Sequence, residues 1–202
     1  MDELTLIVVT KFHPASLVRQ LAALGVRDVG ENRHQEAQAK SAELAELDLR
    51  WHFIGQLQTK KARQAAKYAH AIHSIDRERL VDALRTAEVE APIEAFVQVN
   101  LTDDPSRGGA APSDLERIAE LVLETSTLRL RGVMAVAPLP EEEPAERAFA
   151  RLRGYSERLR RLDPRADAIS AGMTHDFREA IAAGATHLRI GSAITGNRPA
   201  HG

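Results

Sequence analysis

The sequence predicts a single (β/α)8 barrel of the TIM-barrel class, and three observations predict it. Strand-like apolar runs recur along the 202 residues, amphipathic helical stretches lie between them, and no linker, internal repeat or low-complexity tract breaks the alternation. Strict β–α alternation implies parallel strands joined by right-handed crossovers. Eight such units close most naturally as a barrel, and about 200 residues is at the short end of what that fold uses. A doubly wound open sheet is the structural alternative, but the first strand leads into "KFHPAS" and not into the glycine-rich turn of a dinucleotide fold. Residues 1–202 are therefore read as one domain.

The first element, "TLIVVT", is rich in β-branched residues and reads as a fully buried parallel strand. Pro14 follows where a missing N–H costs nothing, at the first turn of the helix "ASLVRQLAALG". The strand "VRDVG" then leads to "HQEAQAKSAELAEL", "RWHFIG" to "QTKKARQAAKYA", and "AIHSI" to "RERLVDALRTA", each helical run carrying apolar residues three and four apart. In the second half "EAFVQVN" precedes "SDLERIAELVLET", "LRGVMAVA" precedes "PAERAFARLRGYSERLRRL", "DAIS" precedes "FREAIAAG", and "THLRIG" closes the series. The loop-like stretches "TDDPSRGGAAPS" and "PLPEEEPAE" both follow strands.

Composition excludes several classes of function. A formal charge of -2 carries no basic footprint for nucleic acid, and 4% aromatic residues supply no stacking platform for single strands. Zero cysteines remove disulfides, thiolate nucleophiles and cysteine metal sites, and are compatible with a reducing compartment. The opening "MDELTLIVVTK" holds an apolar run too short for a signal peptide or a membrane span. The expectation is a cytoplasmic, monomeric protein with no nucleic-acid or membrane partner.

Barrels of this kind do chemistry in the loops after their strands. The polar residues expected at those strand ends are Lys11, Glu31, Asn32, His52, His73, Ser74, Asn100, Thr174 and Arg189, with Met134 and Gly191 among them. Taken singly most have a plain reading, Asn32 and Asn100 as turn residues, His52 and His73 as core histidines, Thr174 as a helix cap. Two loops change that balance. "RIGSAITG" puts Gly191 and Ser192 at the start of a short helix, where free N–H groups suit a phosphate, and "SAGMTHD" offers Met173 and Thr174 to the same anion. A lysine across the mouth then suits imine formation, with the aldehyde of pyridoxal phosphate or with a sugar-phosphate carbonyl. Lys40, Lys60, Lys61 and Lys67, including those of the basic run "QTKKARQAAK", read as solvated helix lysines.

With these residues in view, the chain resembles the pyridoxal phosphate homeostasis proteins, single-domain relatives of the fold type III barrel of bacterial alanine racemase. The matching stretches are "VVTKFHP", "VGENRHQEAQAK", "WHFIGQLQTKK", "IHSID", "VNLTDDPSRGG", "RGVMAVAP" and "SAGMTHDFREAIAAGATHLRIGSAITGNR". The resemblance implies pyridoxal 5'-phosphate (PLP) held as a Schiff base on Lys11, in a protein that stores or delivers the cofactor, with apo-PLP enzymes as partners and no established turnover of its own. It implies further that Met173, Thr174, Gly191 and Ser192 hold the phosphate, that Arg189 lies near the pyridine nitrogen or the phosphate, and that Asn32 and His52 line the mouth. An arginine beside the ring nitrogen would disfavour its protonation and weaken the ring as an electron sink.

The alternatives are a fold type III enzyme such as an amino-acid racemase, and an aldolase-like enzyme using Lys11 on sugar phosphates. The racemases resembled here take a second acid/base group, a tyrosine, from an additional β-domain of a partner subunit, and Tyr68 and Tyr155 are expected in helices away from the mouth. Departures from the family pattern are Thr174 for serine, Thr195 for phenylalanine and Thr59 for asparagine. Only "MDEL" precedes the first strand where the family usually has an amphipathic helix, so either the chain starts late or the lower end of the barrel is covered differently.

Overall fold

A computed structural model describes residues 4–196. Eight parallel strands close into a barrel in sequence order: β1 (Thr5–Val9), β2 (Asp28–Glu31), β3 (Arg50–Phe53), β4 (Ala69–Ile75), β5 (Ile93–Gln98), β6 (Leu128–Met134), β7 (Ala168–Ser170) and β8 (His187–Ile190). Between and after them run α1 (Ala15–Ala23), α2 (His34–Glu43), α3 (Ala62–Ala66), α4 (Glu78–Arg85), α5 (Leu115–Leu123), α6 (Ala145–Leu162), α7 (Phe177–Ala182) and α8 (Ser192–Thr195). The expected (β/α)8 architecture is the observed one.

The period-two geometry of the strands divides their side chains between two environments. Outward residues such as Ile72, Ile75, Ala95, Val97, Leu188 and Ile190 join one apolar layer with the helices. The helices supply Leu80, Val81 and Leu84 from α4, Leu115, Ile118, Ala119 and Val122 from α5, and Ala148, Phe149 and Leu152 from α6, all at most 1% exposed. Each set recurs at three- and four-residue spacing, which is why one face of each helix buries and the other stays wet. Inside the barrel Ala71, Phe96, Met134 and Ala168 make a small separate cluster, and buried polar side chains occupy the rest of the interior.

α2 and α3 fall furthest short of the periodicity at their C-terminal ends. The run at 34–47 leaves the helix after Glu43, where Leu44 and Leu47 turn inward to pack with Val18, Val29 and Trp51. The run at 58–69 forms a 3-10 turn at Thr59–Lys61 and the brief α3, because Ala69 already belongs to β4. Burying the apolar side chains at these joints outweighs the few tenths of a kcal/mol per residue of helix propensity there.

Gly132 carries a φ of 152°, and a Cβ added to it would lie 1.8 Å from the Ala168 carbonyl oxygen of the neighbouring strand. Backbone of β7 would have to move to admit it. Gly132→Ala should therefore destabilise the protein by about 2 kcal/mol or more, lowering the melting temperature by at least roughly 4 °C. Thermal denaturation followed by circular dichroism checks this, and an unchanged melting temperature would contradict the register of β6 and β7.

Candidate functional site

The mouth of the barrel is assembled where the first and last strands meet. β1 and β8 pair in parallel with Ile7 opposite Arg189 and Val8 opposite Ile190, so the loop after β1, which begins at Thr10 and carries Lys11, lies beside the loop after β8. A cavity of about 610 Å³ opens there. Lys11 and His13 line it from the first loop, and Met173, Thr174 and His175 from the seventh. Arg189 reaches it from β8, Gly191, Ser192, Thr195 and Gly196 border it from the segment after that strand, and Val9 and Ile54 form apolar walls.

Each loop is held by its own chemistry. The first is anchored from beneath by Lys40, whose Nζ donates to the Thr10 carbonyl at 2.8 Å, to Glu31 Oε1 at 2.7 Å and to Glu36 Oε1 at 2.7 Å. Thr10 Oγ1 also donates to Glu31 Oε1, and the Phe12 amide donates to Glu36 Oε1 at 2.6 Å. Phe12 takes a φ of 68°, a left-handed conformation unfavourable for a residue with a bulky side chain. The ion-paired carboxylates make that local cost tolerable. In the seventh loop Asp176 Oδ1 accepts the Met173 amide at 2.6 Å, and in the eighth the Gly191 carbonyl accepts the amides of Ile194 and Thr195. The amides of Ser192 and Ala193 open α8 and are not used by the helix itself.

The charge at the mouth has one sign. Lys11 and Arg189 line the cavity together with His13 and His175, and among the described residues no carboxylate does. Burial pushes the Arg189 guanidinium down to about 10, still well above neutral pH, so it remains a cation. Its Nη1 donates to Ser170 Oγ at 2.7 Å and its Nη2 to the Ala135 carbonyl at 2.8 Å, which fixes the fork from inside the barrel. A Cβ on Gly191 would meet Val9 Cβ at 3.5 Å, an ordinary contact, so a side chain there would project along the cavity wall without a clash.

The family model of the alanine racemase N-terminal domain matches residues 3–199. The pyridoxal phosphate homeostasis protein of Pseudomonas aeruginosa is 43% identical over 196 residues, 96% of this chain and 84% of the relative. The protein of that name from Escherichia coli K12 is 40% identical over 206 residues, 98% of this chain and 87% of the relative. The chain belongs to the pyridoxal phosphate homeostasis protein family. Among solved structures, PipY of Synechococcus elongatus with PLP bound superposes with a TM-score of 0.83 at 37% identity, covering 96% of this chain and 92% of that one. Alanine racemase of Corynebacterium glutamicum, at 14% identity and a TM-score of 0.74, shares the fold over 94% of this chain and 55% of its own.

Against this family background the predicted site residues divide. The structure brings Lys11, Met173, Thr174, Arg189, Gly191 and Ser192 to one cavity. It does not bring His52 there. His52 points into the barrel with Nε2 2.9 Å from Asp28 Oδ1, at the first residue of β2, and lines a different cavity at the N-terminal ends of the strands. The inward pleat of β3 decides this, because the ring turns down toward the Asp28 carboxylate and away from the mouth. Asn32 lies beside Gly55, where a Cβ would come within 2.3 Å of its carbonyl oxygen, and it does not line the mouth cavity. Its side-chain Oδ1 is buried without a partner. Glu31 faces α2 and Met134 lies in the interior cluster.

Other corrections concern residues read as surface groups or passed over. Lys40 is 6% exposed and is the anchor of the Lys11 loop, not a solvated lysine. The sequence signal for it was its place in α2, three and four residues after Ala37 and Glu36 on the face turned to β2. His13, two residues after Lys11, and His175, beside Thr174, also line the mouth cavity. Tyr68 and Tyr155 do not line the mouth cavity, as expected, although Tyr68 follows α3 and is not part of it. The end of the last motif, Asn197 and Arg198, lies outside the described residues.

Burial pushes the Glu31 carboxyl up from its ordinary range, against the opposing pull of Lys40. Lys40→Gln removes that cation and leaves an uncompensated buried carboxylate, so stability at neutral pH should fall by about 3 kcal/mol. The deficit is a property of the ionised form. It should shrink at mildly acidic pH, as Glu31 takes up a proton. Urea denaturation of parent and variant at the two pH values measures both effects, and a deficit that grows toward acid would contradict the assignment.

Proposed function

We propose that this protein holds PLP as a Schiff base on Lys11 and serves in storing or delivering the cofactor to apo-PLP enzymes. The observation that carries the reading is the mouth cavity itself, lined by a lysine, an arginine and two histidines with no carboxylate among the described residues. That lining suits a ligand with a dianionic phosphate and an aldehyde. Thr174 and the backbone around Gly191 and Ser192 would hold the phosphate, and Arg189 would meet the ring nitrogen or the phosphate. Bound there, PLP supplies an electron sink conjugated to the lysine nitrogen. The relatives named for pyridoxal phosphate homeostasis and the PLP-bound PipY structure support this reading.

Lys11 and Arg189 line the same cavity, whose wall at Val9 and Ile54 is apolar. We place the protein in the cytoplasm as a monomer. No helix of the described residues is long and apolar enough to cross a membrane.

The racemase reading is favoured by one observation, that His13 and His175 line the cavity and could move a proton. A tyrosine on the opposite face is not supplied by the described lining. Incubation with single enantiomers of common amino acids and chiral chromatography should show at most trace racemisation, since a missing positioned acid or base costs on the order of 10²–10⁴-fold in rate. Racemisation at ordinary turnover would move the assignment to an enzyme.

The covalent link is tested by borohydride. Protein incubated with PLP should absorb visible light, and after reduction peptide mapping should find the added mass on Lys11 and not on Lys40, Lys60, Lys61 or Lys67. Lys11→Ala should lose the label and keep weaker binding through the phosphate. Labelling of the alanine variant as readily as the parent would refute the role of Lys11.

The phosphate cradle is tested separately. Gly191→Asp, which the space beside Val9 admits, should abolish tight binding because a carboxylate would face a dianion with little water between them. Pyridoxal without phosphate should bind the parent far more weakly than PLP by absorbance titration. Equal affinity for the two would remove the cradle from the reading.

A further inference from the structure

Inside the barrel, polar side chains at alternating strand positions touch in series. Arg189 Nη1 donates to Ser170 Oγ at 2.7 Å, and Ser170 Oγ lies 2.8 Å from His73 Nδ1. His73 Nε2 lies 2.9 Å from His52 Nδ1, and His52 Nε2 lies 2.9 Å from Asp28 Oδ1. All five residues are more than nine-tenths buried. The series starts in the mouth cavity, which Arg189 lines, and ends in a second cavity of about 560 Å³ at the N-terminal end of the barrel, which His52 and Asp28 line.

The ends of the series determine its direction. A guanidinium can only donate and a carboxylate can only accept. Ser170 Oγ therefore accepts from Arg189, and its own proton is free to go to His73 Nδ1. His73, neutral, then carries its proton on Nε2 and donates to His52 Nδ1, and His52 carries its proton on Nε2 and donates to Asp28. Every link has one donor and one acceptor. Burial holds His73 well below the usual histidine range, in keeping with a neutral ring. Burial would raise the Asp28 carboxyl, but the hydrogen bonds from His52 and Arg50 outweigh it and keep Asp28 ionised.

We propose that Asp28, His52, His73 and Ser170 are positioning residues for Arg189, a directed hydrogen-bond relay that makes the guanidinium at the cofactor site sensitive to protonation in the lower cavity. The proposal rests on the reading of the mouth as the PLP site. No proton has to travel the length of the series. If His52 gains one, both its nitrogens donate, so His73 must accept at Nε2 and donate from Nδ1. Ser170 Oγ then receives hydrogens from His73 and Arg189 together, and its own proton loses its acceptor. The charged and titratable groups that face the pair are Asp28 and Arg50 at the foot, His70 and His187 beside the rings, and Arg189 above.

The relay is read directly in the cofactor-free protein by NMR of ¹⁵N-labelled histidine side chains. The expected spectrum has His73 and His52 each protonated on Nε2 and bare on Nδ1, as the contacts along the series require. Protonation of His73 on Nδ1 would overturn the direction and the proposal with it. Asp28→Ala removes the terminal acceptor, and its expected effect is a mixture of tautomers at His73, which Asp28 does not touch. An unchanged His73 would show that nothing is transmitted. At the other end Ser170→Ala should weaken PLP binding about tenfold, the loss of one hydrogen bond to a charged group, with Ser170→Thr restoring it. Parent-like affinity in the alanine variant would overturn the positioning role. Should the parent itself fail to bind PLP, the functional reading falls while the histidine spectrum still decides the relay.

Discussion

The pairing of β1 with β8 is the constraint on which the rest of this structure depends. It joins the first and last strands, Thr5 to His187 through Val8 to Ile190, and closes a sheet whose edges would otherwise be open to other chains. Closure also makes the site. Lys11 follows β1, Arg189 belongs to β8 and Gly191 follows it, so residues at opposite ends of the chain share one cavity only because the two edges are bonded.

Closure creates an interior as well as a mouth, and the interior is unusually polar. An apolar barrel centre would need only volume complementarity, as Ala71, Phe96, Met134 and Ala168 provide in the middle. Below and beside that plug stand His52, His73, His187, Ser170 and Arg189. Such groups are costly to bury unless each finds a partner. Here His52, His73, Ser170 and Arg189 bond in series, with Asp28 and the Ala135 carbonyl completing their set and Thr186 serving His187, and the two ends of the barrel differ in charge: the mouth lining is cationic, whereas the lower cavity mixes Asp28, Glu94 and Asp167 with Arg50, Arg131 and Arg160.

Lys11 and Lys40 show how context separates identical side chains. Lys40 lies beneath the loop, its ammonium shared between a carbonyl and two carboxylates, and its work is mechanical. Lys11 lines the cavity that this scaffold holds open. An ammonium locked into buried ion pairs is a poor nucleophile, so the arrangement gives Lys40 to the support of the loop.

The fold was legible in the sequence because it follows from local periodicity. Alternating β-branched runs and amphipathic stretches specify which faces must bury, and eight repeats of that pattern have one economical closure. The mouth was legible where its lining sits in contiguous loops, as with Lys11, the stretch at 173–174 and that at 189–192. His52 and Lys40 were both misread, for one physical reason. Whether a side chain points to the mouth, the barrel interior or the helix layer depends on strand register and pleat, and on which distant carboxylate it finds. By itself the sequence determined the order of elements, the apolar faces and the loops that line the mouth. Only the tertiary structure decided that Asp28 would take His52 downward, that Glu31 would take Lys40 inward, and that Ser170 and His73 would meet across the barrel, because hydrogen bonds between buried groups far apart in the chain are selected by three-dimensional proximity and leave no period in the sequence.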